Sequence, residues 1–161
     1  ASERTCQLVT QVAGRSGRGP RGGRVVVQTS TPEHPAMRAA AVHDYEAFVQ
    51  SELPIRESLL YPPFGSVIRI VVRAAVNDAA ADWAKYLVQR LTESARESDG
   101  IRILGPAPAP ITRIRDRYRW HLQVHGPDPE TLRNLVRLST ADLKTPKEIA
   151  WIVDVDPVEM L

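Results

Sequence analysis

One cysteine, Cys6, is all the thiol chemistry that these 161 residues hold. It excludes an intrachain disulfide and a multi-cysteine zinc site within the chain. A lone cysteine on an apolar helical face is usually a small core residue, and a reducing, cytoplasmic setting fits this usage. Long apolar runs are also missing. No stretch of about 18 apolar residues offers a membrane span, and the first residues lack the charged-then-apolar pattern of a secretory signal. Charge excess is equally absent: 21 Lys and Arg against 19 Asp and Glu leave a net charge of +2. That is too little to announce a nucleic-acid binder, so any electrostatic argument must come from local clustering. His34, His43, His121 and His125 form no Cys/His/Asp grouping at metal-ligand spacing and are expected to be surface or loop side chains. Ser16 and Ser66 have no base partner in the sequence, which leaves nucleophilic catalysis without support. The length suits one compact domain plus an appendage. A chain that opens at Ala1 without an initiator methionine is expected to be a fragment of a longer protein.

What is present is concentrated first in Gln11-Val12-Ala13-Gly14-Arg15-Ser16-Gly17-Arg18. Glycine lets a backbone approach a ligand closely. Arg15 and Arg18 bring permanent charge in planar forks that suit phosphate oxygens. The segment from Thr5 to Ala13 reads as a short helix with Leu8, Val9 and Val12 turned inward. Composition alone is also met by a solvated Gly/Arg loop, but the helical run before it and a strand after it give the stretch a context. The stretch resembles the last signature motif of superfamily-2 helicases, Gln-x-x-Gly-Arg-x-Gly-Arg, at all five fixed positions. The resemblance implies that Arg15 and Arg18 act as arginine fingers on a γ-phosphate, between two RecA-like lobes, with Gln11, Gly14 and Gly17 beside the nucleotide.

Farther along, Arg24 to Thr29 contains three consecutive valines and reads as a strand buried on both faces, the last of the lobe. Ala36 to Leu60 carries Met37, Ala40, Ala41, Tyr45, Phe48 and Val49 at helical spacing and is expected to form two helices broken near Pro54. Tyr61-Pro62-Pro63-Phe64-Gly65 cannot continue a helix and marks a boundary. The organisation expected is therefore the end of a helicase lobe over 1–30, a helical connector over 31–61 and a C-terminal domain over 62–161. In that domain a strand from Val67 to Ala74 precedes a helix capped at Asn77 or Asp78 and running to about Glu97. A short strand at Ile101 to Leu104 runs into an extended, proline-rich edge, Gly105 to Pro110. Alternation from Tyr118 to Val124 gives a half-buried strand. Asp128-Pro129-Glu130 opens a helix to about Thr140, and Ile149 to Val155 closes with a strand. The class is α+β. The order β-α-β-β-α-β is the split βαβ pattern of ferredoxin-like folds, with both helices on one face of an antiparallel sheet and the other face open.

Arg113, Arg115, Arg117 and Arg119 recur at every second residue. Extended throughout, they would share a side and form a basic stripe able to follow several phosphates; a turn near Asp116 would break it, and solvated edge charges that discourage strand pairing would look the same. Arg133 and Arg137, four apart on the last helix, can point at one acidic ligand or simply be solvated. Asp154 and Asp156 read as strand-end charges paired with nearby arginines.

Tyr61-Pro62-Pro63-Phe64, Leu104 to Pro110, the arginine-rich run to Trp120, and Trp151-Ile152-Val153-Asp154-Val155-Asp156-Pro157 are together similar to the carboxy-terminal part of the PriA family of bacterial replication-restart helicases. With the opening motif they cover nearly the whole chain. The resemblance implies an ATP-dependent 3′ to 5′ DNA helicase that recognises stalled or abandoned forks and initiates primosome assembly. Its last domain would resemble a small-subunit ribosomal protein and contact forked or single-stranded DNA, other primosome proteins and the acidic tail of single-stranded DNA-binding protein. The parent's cofactors would be ATP with magnesium, and zinc held upstream of these residues. The setting implied is cytoplasmic and nucleoid-associated. Asp116 stands where the resemblance leads one to expect a turn glycine, which weakens the expected hairpin geometry, and a basic contact expected one turn before Arg133 falls at Pro129. A free-standing ferredoxin-like module that binds nucleic acid or protein, with the Gly/Arg loop as an anion-binding tail, remains the alternative.

Overall fold

The computed structural model describes residues 2–16, 23–96 and 99–157, and the chain divides into two compact units, 1–55 and 56–161. Three helices account for the first unit: α1 (Ser2–Ala13), α2 (Pro35–Ala41) and α3 (Tyr45–Leu59), whose last turn belongs to the second. His34 caps α2, its Nδ1 accepting the Ala36 N–H at 3.2 Å, with Pro35 at the first helical position where a missing donor costs nothing. Asp44 opens α3 by accepting the Ala47 N–H at 2.9 Å. The break between the two helices lies at His43, with φ of 56°, and not near Pro54, which α3 accommodates in its interior. A positive φ cannot be absorbed by a right-handed helix, whereas an internal proline removes one donor and leaves the remaining ladder.

Cys6, Ala36, Ala39, Ala40 and Phe48 form the small core, with Val9 and Val49 packed on it. Cys6 is thus the buried core residue its type suggests. Leu8 and Val12 face outward, contrary to the helical face read from sequence. The strand expected over 24–29 does not form: residues 23–29 carry no regular structure, and Val26 is 82 % exposed. Valine-rich sequence favours a strand only where a neighbour supplies hydrogen bonds, and among the described residues of this unit there is none.

The second unit contains β1 (Ser66–Ala74), α4 (Asn77–Ser94), β2 (Arg102–Ile114), β3 (Arg117–Gly126), α5 (Pro129–Thr140) and β4 (Ile149–Val155). Their sheet order is β2-β3-β1-β4 and every pair is antiparallel. This is the split βαβ arrangement: β3 lies between β1 and β2, and β1 lies between β3 and β4. One face of the sheet supplies Ile68, Ile70, Val72, Leu122 and Val124 to a core completed by Ala80, Ala84, Leu87 and Leu91 of α4 and Leu132, Leu135 and Val136 of α5. Each fully buried leucine there contributes about 1.5–3 kcal/mol relative to an exposed one.

Sequence cues and structure agree closely on α5, where Asp128 accepts the Thr131 N–H at 2.6 Å and Pro129 occupies the first turn. At α4 they differ. Val76 is the capping position and makes no side-chain cap bond. Asn77 instead accepts the Trp120 indole N–H at 3.1 Å, tying the helix start to β3. β2 is one long irregular edge strand, with register shifts between Leu104 and Ala107 and between Pro108 and Arg113. Its prolines lack the donors a regular ladder requires.

The face of the sheet away from the helices is not open along β1. Val67, Arg69 and Val71 are all buried, so β1 is covered on both sides. Arginine stems account for part of this cover, since they lie along apolar surface while their heads seek partners. Arg69 donates to Asp154 at 3.2 Å, and Arg119 donates to the Ile111 carbonyl at 3.2 Å. Among the described residues Asp156 shows no such arginine pair. It accepts the Ser66 hydroxyl and the Val67 N–H, each at 2.9 Å.

Candidate nucleic-acid interface

α1 delivers the Gly/Arg motif to the surface. The chain leaves the helix in a tight turn, with the N–H groups of Gly14, Arg15 and Ser16 bonded to the carbonyls of Thr10, Val12 and Ala13. Gln11, Gly14 and Arg15 are exposed, and Gln11 also lines a cleft of about 550 Å³ with Arg4, Gln7, His43 and Tyr45. Gly17 and Arg18 lie outside the described residues.

The arginine run folds back on itself. Arg115 and Asp116 have φ of 49° and 59°, so they form the left-handed two-residue turn of a tight hairpin. An aspartate therefore serves where a glycine was expected, at a backbone cost of order 1–2 kcal/mol for a residue bearing a Cβ. The turn resets which way each arginine points. Arg113 is paired with Tyr118, on the helix side of the sheet, and its guanidinium carbon lies 5.2 Å from that ring's centroid and its Nη2 3.0 Å from Asp116. Arg117 is paired with Ile114 on the opposite side and donates to the Glu148 carbonyl at 3.4 Å. Arg119 shares that side and is 7 % exposed. The four guanidinium groups consequently do not form one stripe; three are exposed around a hairpin tip and the fourth is buried below it.

Beneath the tip, Arg119 lies directly opposite Arg73 on β1. Burial first, then repulsion from Arg73 and Arg69, lowers the Arg119 guanidinium from its ordinary range. His121, next along the same side of β3, is held below its usual value by burial and then by Arg69 and Arg119. His125, expected at the surface, is completely buried. Its Nε2 lies 2.9 Å from Gln123 Oε1, and burial followed by the Arg102 charge lowers its pKa against an opposing bond to the Leu59 backbone.

On α5, Arg133 and Arg137 are exposed and four residues apart, and Arg137 donates to Asn134 at 3.0 Å. Among the described residues no group of three or more His, Cys, Asp or Glu could hold a metal ion. No helix among them is long and apolar enough to cross a membrane.

Residues 57–158 match the primosomal protein N C-terminal domain, a span that takes in every element of the sheet and both of its helices. The chain belongs to that family. The primosomal match extends through both units in full-length comparisons. The chain is 38 % identical over 160 residues to the replication restart protein PriA of Synechocystis, covering 99 % of this chain and 19 % of that protein. Identity is 34 % over 161 residues with its Haemophilus influenzae counterpart and 33 % over 164 with that of Bacillus subtilis, covering 22 % and 20 % of those proteins. The chain thus spans about a fifth of the length of these relatives.

Proposed function

We propose that the chain is the C-terminal part of an ATP-dependent 3′ to 5′ helicase that recognises stalled or abandoned forks and initiates primosome assembly. The observation that carries this reading is the primosomal domain match over 57–158, continued through the first unit by relatives named replication restart protein PriA. The Gly/Arg motif supports it from the chemistry. Exposed Arg15 offers a fork of donors suited to a γ-phosphate, with Arg18 as its partner and Gln11, Gly14 and Gly17 beside the nucleotide. ATP with magnesium would need further groups, since phosphoryl transfer requires a phosphate-cradling lysine and metal-holding carboxylates that this motif does not contain. Zinc belongs to upstream residues in this reading. The second unit would hold forked and single-stranded DNA, the tail of single-stranded DNA-binding protein and other primosome proteins, in the cytoplasm and near the nucleoid.

The test compares the full-length protein with a version lacking residues 57–158, measuring affinity for a forked duplex and for linear duplex. Selective loss of fork affinity is the expected result. Unchanged fork binding overturns the assignment of DNA recognition to this domain.

A further inference from the structure

We infer that the tip of the β2–β3 hairpin is a two-sided prong that enters a groove of double-helical nucleic acid and meets the phosphates of both strands, an inference that rests on the DNA-binding reading above. Arg113, Arg115 and Arg117 are all exposed, and Asp116 is the one acidic residue among them. The hairpin register directs Arg113 to one face, Arg117 to the other, and leaves Arg115 at the turn. A stripe on one face would follow a single backbone. Cations on opposite faces of a ribbon suit two backbones with the ribbon between them. Two strands lie about 4.8 Å apart, and a two-stranded ribbon with its side chains fits a major groove about 12 Å wide.

Each face also carries something apolar beside its guanidinium: Tyr118 next to Arg113, and Ile114, which is 41 % exposed, next to Arg117. The aromatic rings of β3 are already engaged by the protein's own residues. Tyr118 lies under Arg113, and Trp120 packs against the helix-side core while bonding to Asn77. Unstacked bases are normally held on exposed aromatic platforms, so the tip is better suited to the backbones of a duplex than to a single strand. The guanidinium of Arg113 is held by Asp116 and the Tyr118 ring, and that of Arg117 by the Glu148 carbonyl. These contacts favour side-chain directions on the two faces before any ligand arrives, which reduces the ordering cost of binding.

The experiment measures binding of the full chain to a blunt duplex and to a single strand of equal length over a range of salt. Wild type is compared with Arg113→Gln, Arg117→Gln and the double variant, and Lys85→Gln on α4 serves as control. Circular dichroism confirms that the exposed substitutions leave the fold intact. Tighter duplex binding is expected, with each single variant reducing the slope of log affinity against log salt by about 0.9 and the double variant by about twice that. An effect of only one arginine, or equal binding and equal losses on the single strand, overturns the prong. Duplex binding with an unchanged slope in both variants overturns it too, while leaving the DNA-binding reading in place. Failure to bind either nucleic acid removes that reading and the prong with it. Arginine-dependent binding of polyglutamate without duplex binding assigns the tip to an acidic protein instead.

Discussion

Tyr61 stands edge-on to His125, with ring centroids 5.0 Å apart and planes at 89°. The proline-rich segment that leads into the sheet is therefore packed on a buried imidazole. Arg102 braces the same junction by donating to the Leu59 carbonyl at 2.6 Å, and Gln123 meets the other side of the ring. Burial and the Arg102 charge disfavour the imidazolium, so the folded-state pKa lies below the ordinary 6.5. The unfolded chain then binds the proton more readily. The stabilising contribution of the neutral ring is complete above about pH 6.5 and is lost as pH falls through the folded pKa.

Urea denaturation of the full chain should accordingly show a midpoint that declines as pH is lowered from 7 towards 5. The slope from one histidine is at most about 1.4 kcal/mol per pH unit. His121, also shifted down, acts in the same direction. A His125→Gln variant keeps a polar group but cannot titrate, so its decline should be shallower. An identical pH dependence in the variant would show that His125 does not supply the effect.

Gly65 closes the same junction for a steric reason. A Cβ at this position would lie 2.6 Å from the Leu60 carbonyl oxygen and 2.8 Å from that of Gly126, both backbone atoms. At Gly126 the added atom would meet the Leu132 Cδ2 at 2.9 Å, the end of a side chain that can turn. Gly65→Ala should therefore lower stability by about 1–3 kcal/mol or more, the usual cost of overpacking, and by more than Gly126→Ala. The comparison is made by denaturant midpoint at fixed pH. Equal losses, or a smaller one at position 65, would contradict the rigid-backbone account.

These two positions show where sequence reasoning stops. The α5 helix was legible because Asp128, Pro129 and the Leu132, Leu135, Val136 spacing are local signals that agree with one another. The sheet order followed from the alternation in β3 and the two helical segments. His125 carries no such signal: alternation puts it on the helix-free side, where Tyr61, far earlier in the chain, packs against it. Period-two logic also holds only within one strand. It does not carry across the arginine run, because Arg115 and Asp116 adopt left-handed conformations and turn the chain there. Residues 24–29 illustrate the converse, a strand-like composition without a strand to pair with.

The arginine motif leads to a kinetic prediction. In a full-length protein with an intact nucleotide site, Arg15→Ala or Arg18→Ala should reduce ATP turnover by roughly the 10³ to 10⁵ attributed to an arginine finger. DNA binding should persist, because the proposed DNA contacts lie in the second unit. Steady-state ATP hydrolysis with and without DNA, alongside an equilibrium binding titration, separates the two effects. Normal turnover in both variants would leave the motif without a catalytic role.

Arg133 and Arg137 supply the last prediction. The tail implied by the family resemblance is acidic with an apolar end, so its receptor must offer cations and an apolar contact. α5 provides both on its outer surface: two exposed guanidinium groups four residues apart, and Leu138, 68 % exposed, immediately after Arg137. Exposed ion pairs contribute about 0.2–1 kcal/mol each, and reversing two charges adds repulsion to that loss. The Arg133→Glu, Arg137→Glu double variant of the full-length protein should therefore bind an acidic, hydrophobic-ended tail peptide about tenfold or more weakly than wild type, equivalent to about 1.4 kcal/mol. The same peptide with its terminal apolar residue removed should bind wild type less tightly and be less sensitive to Leu138→Ser than the complete peptide. Equal affinity of wild type and the double variant for the complete peptide would rule out this face of α5.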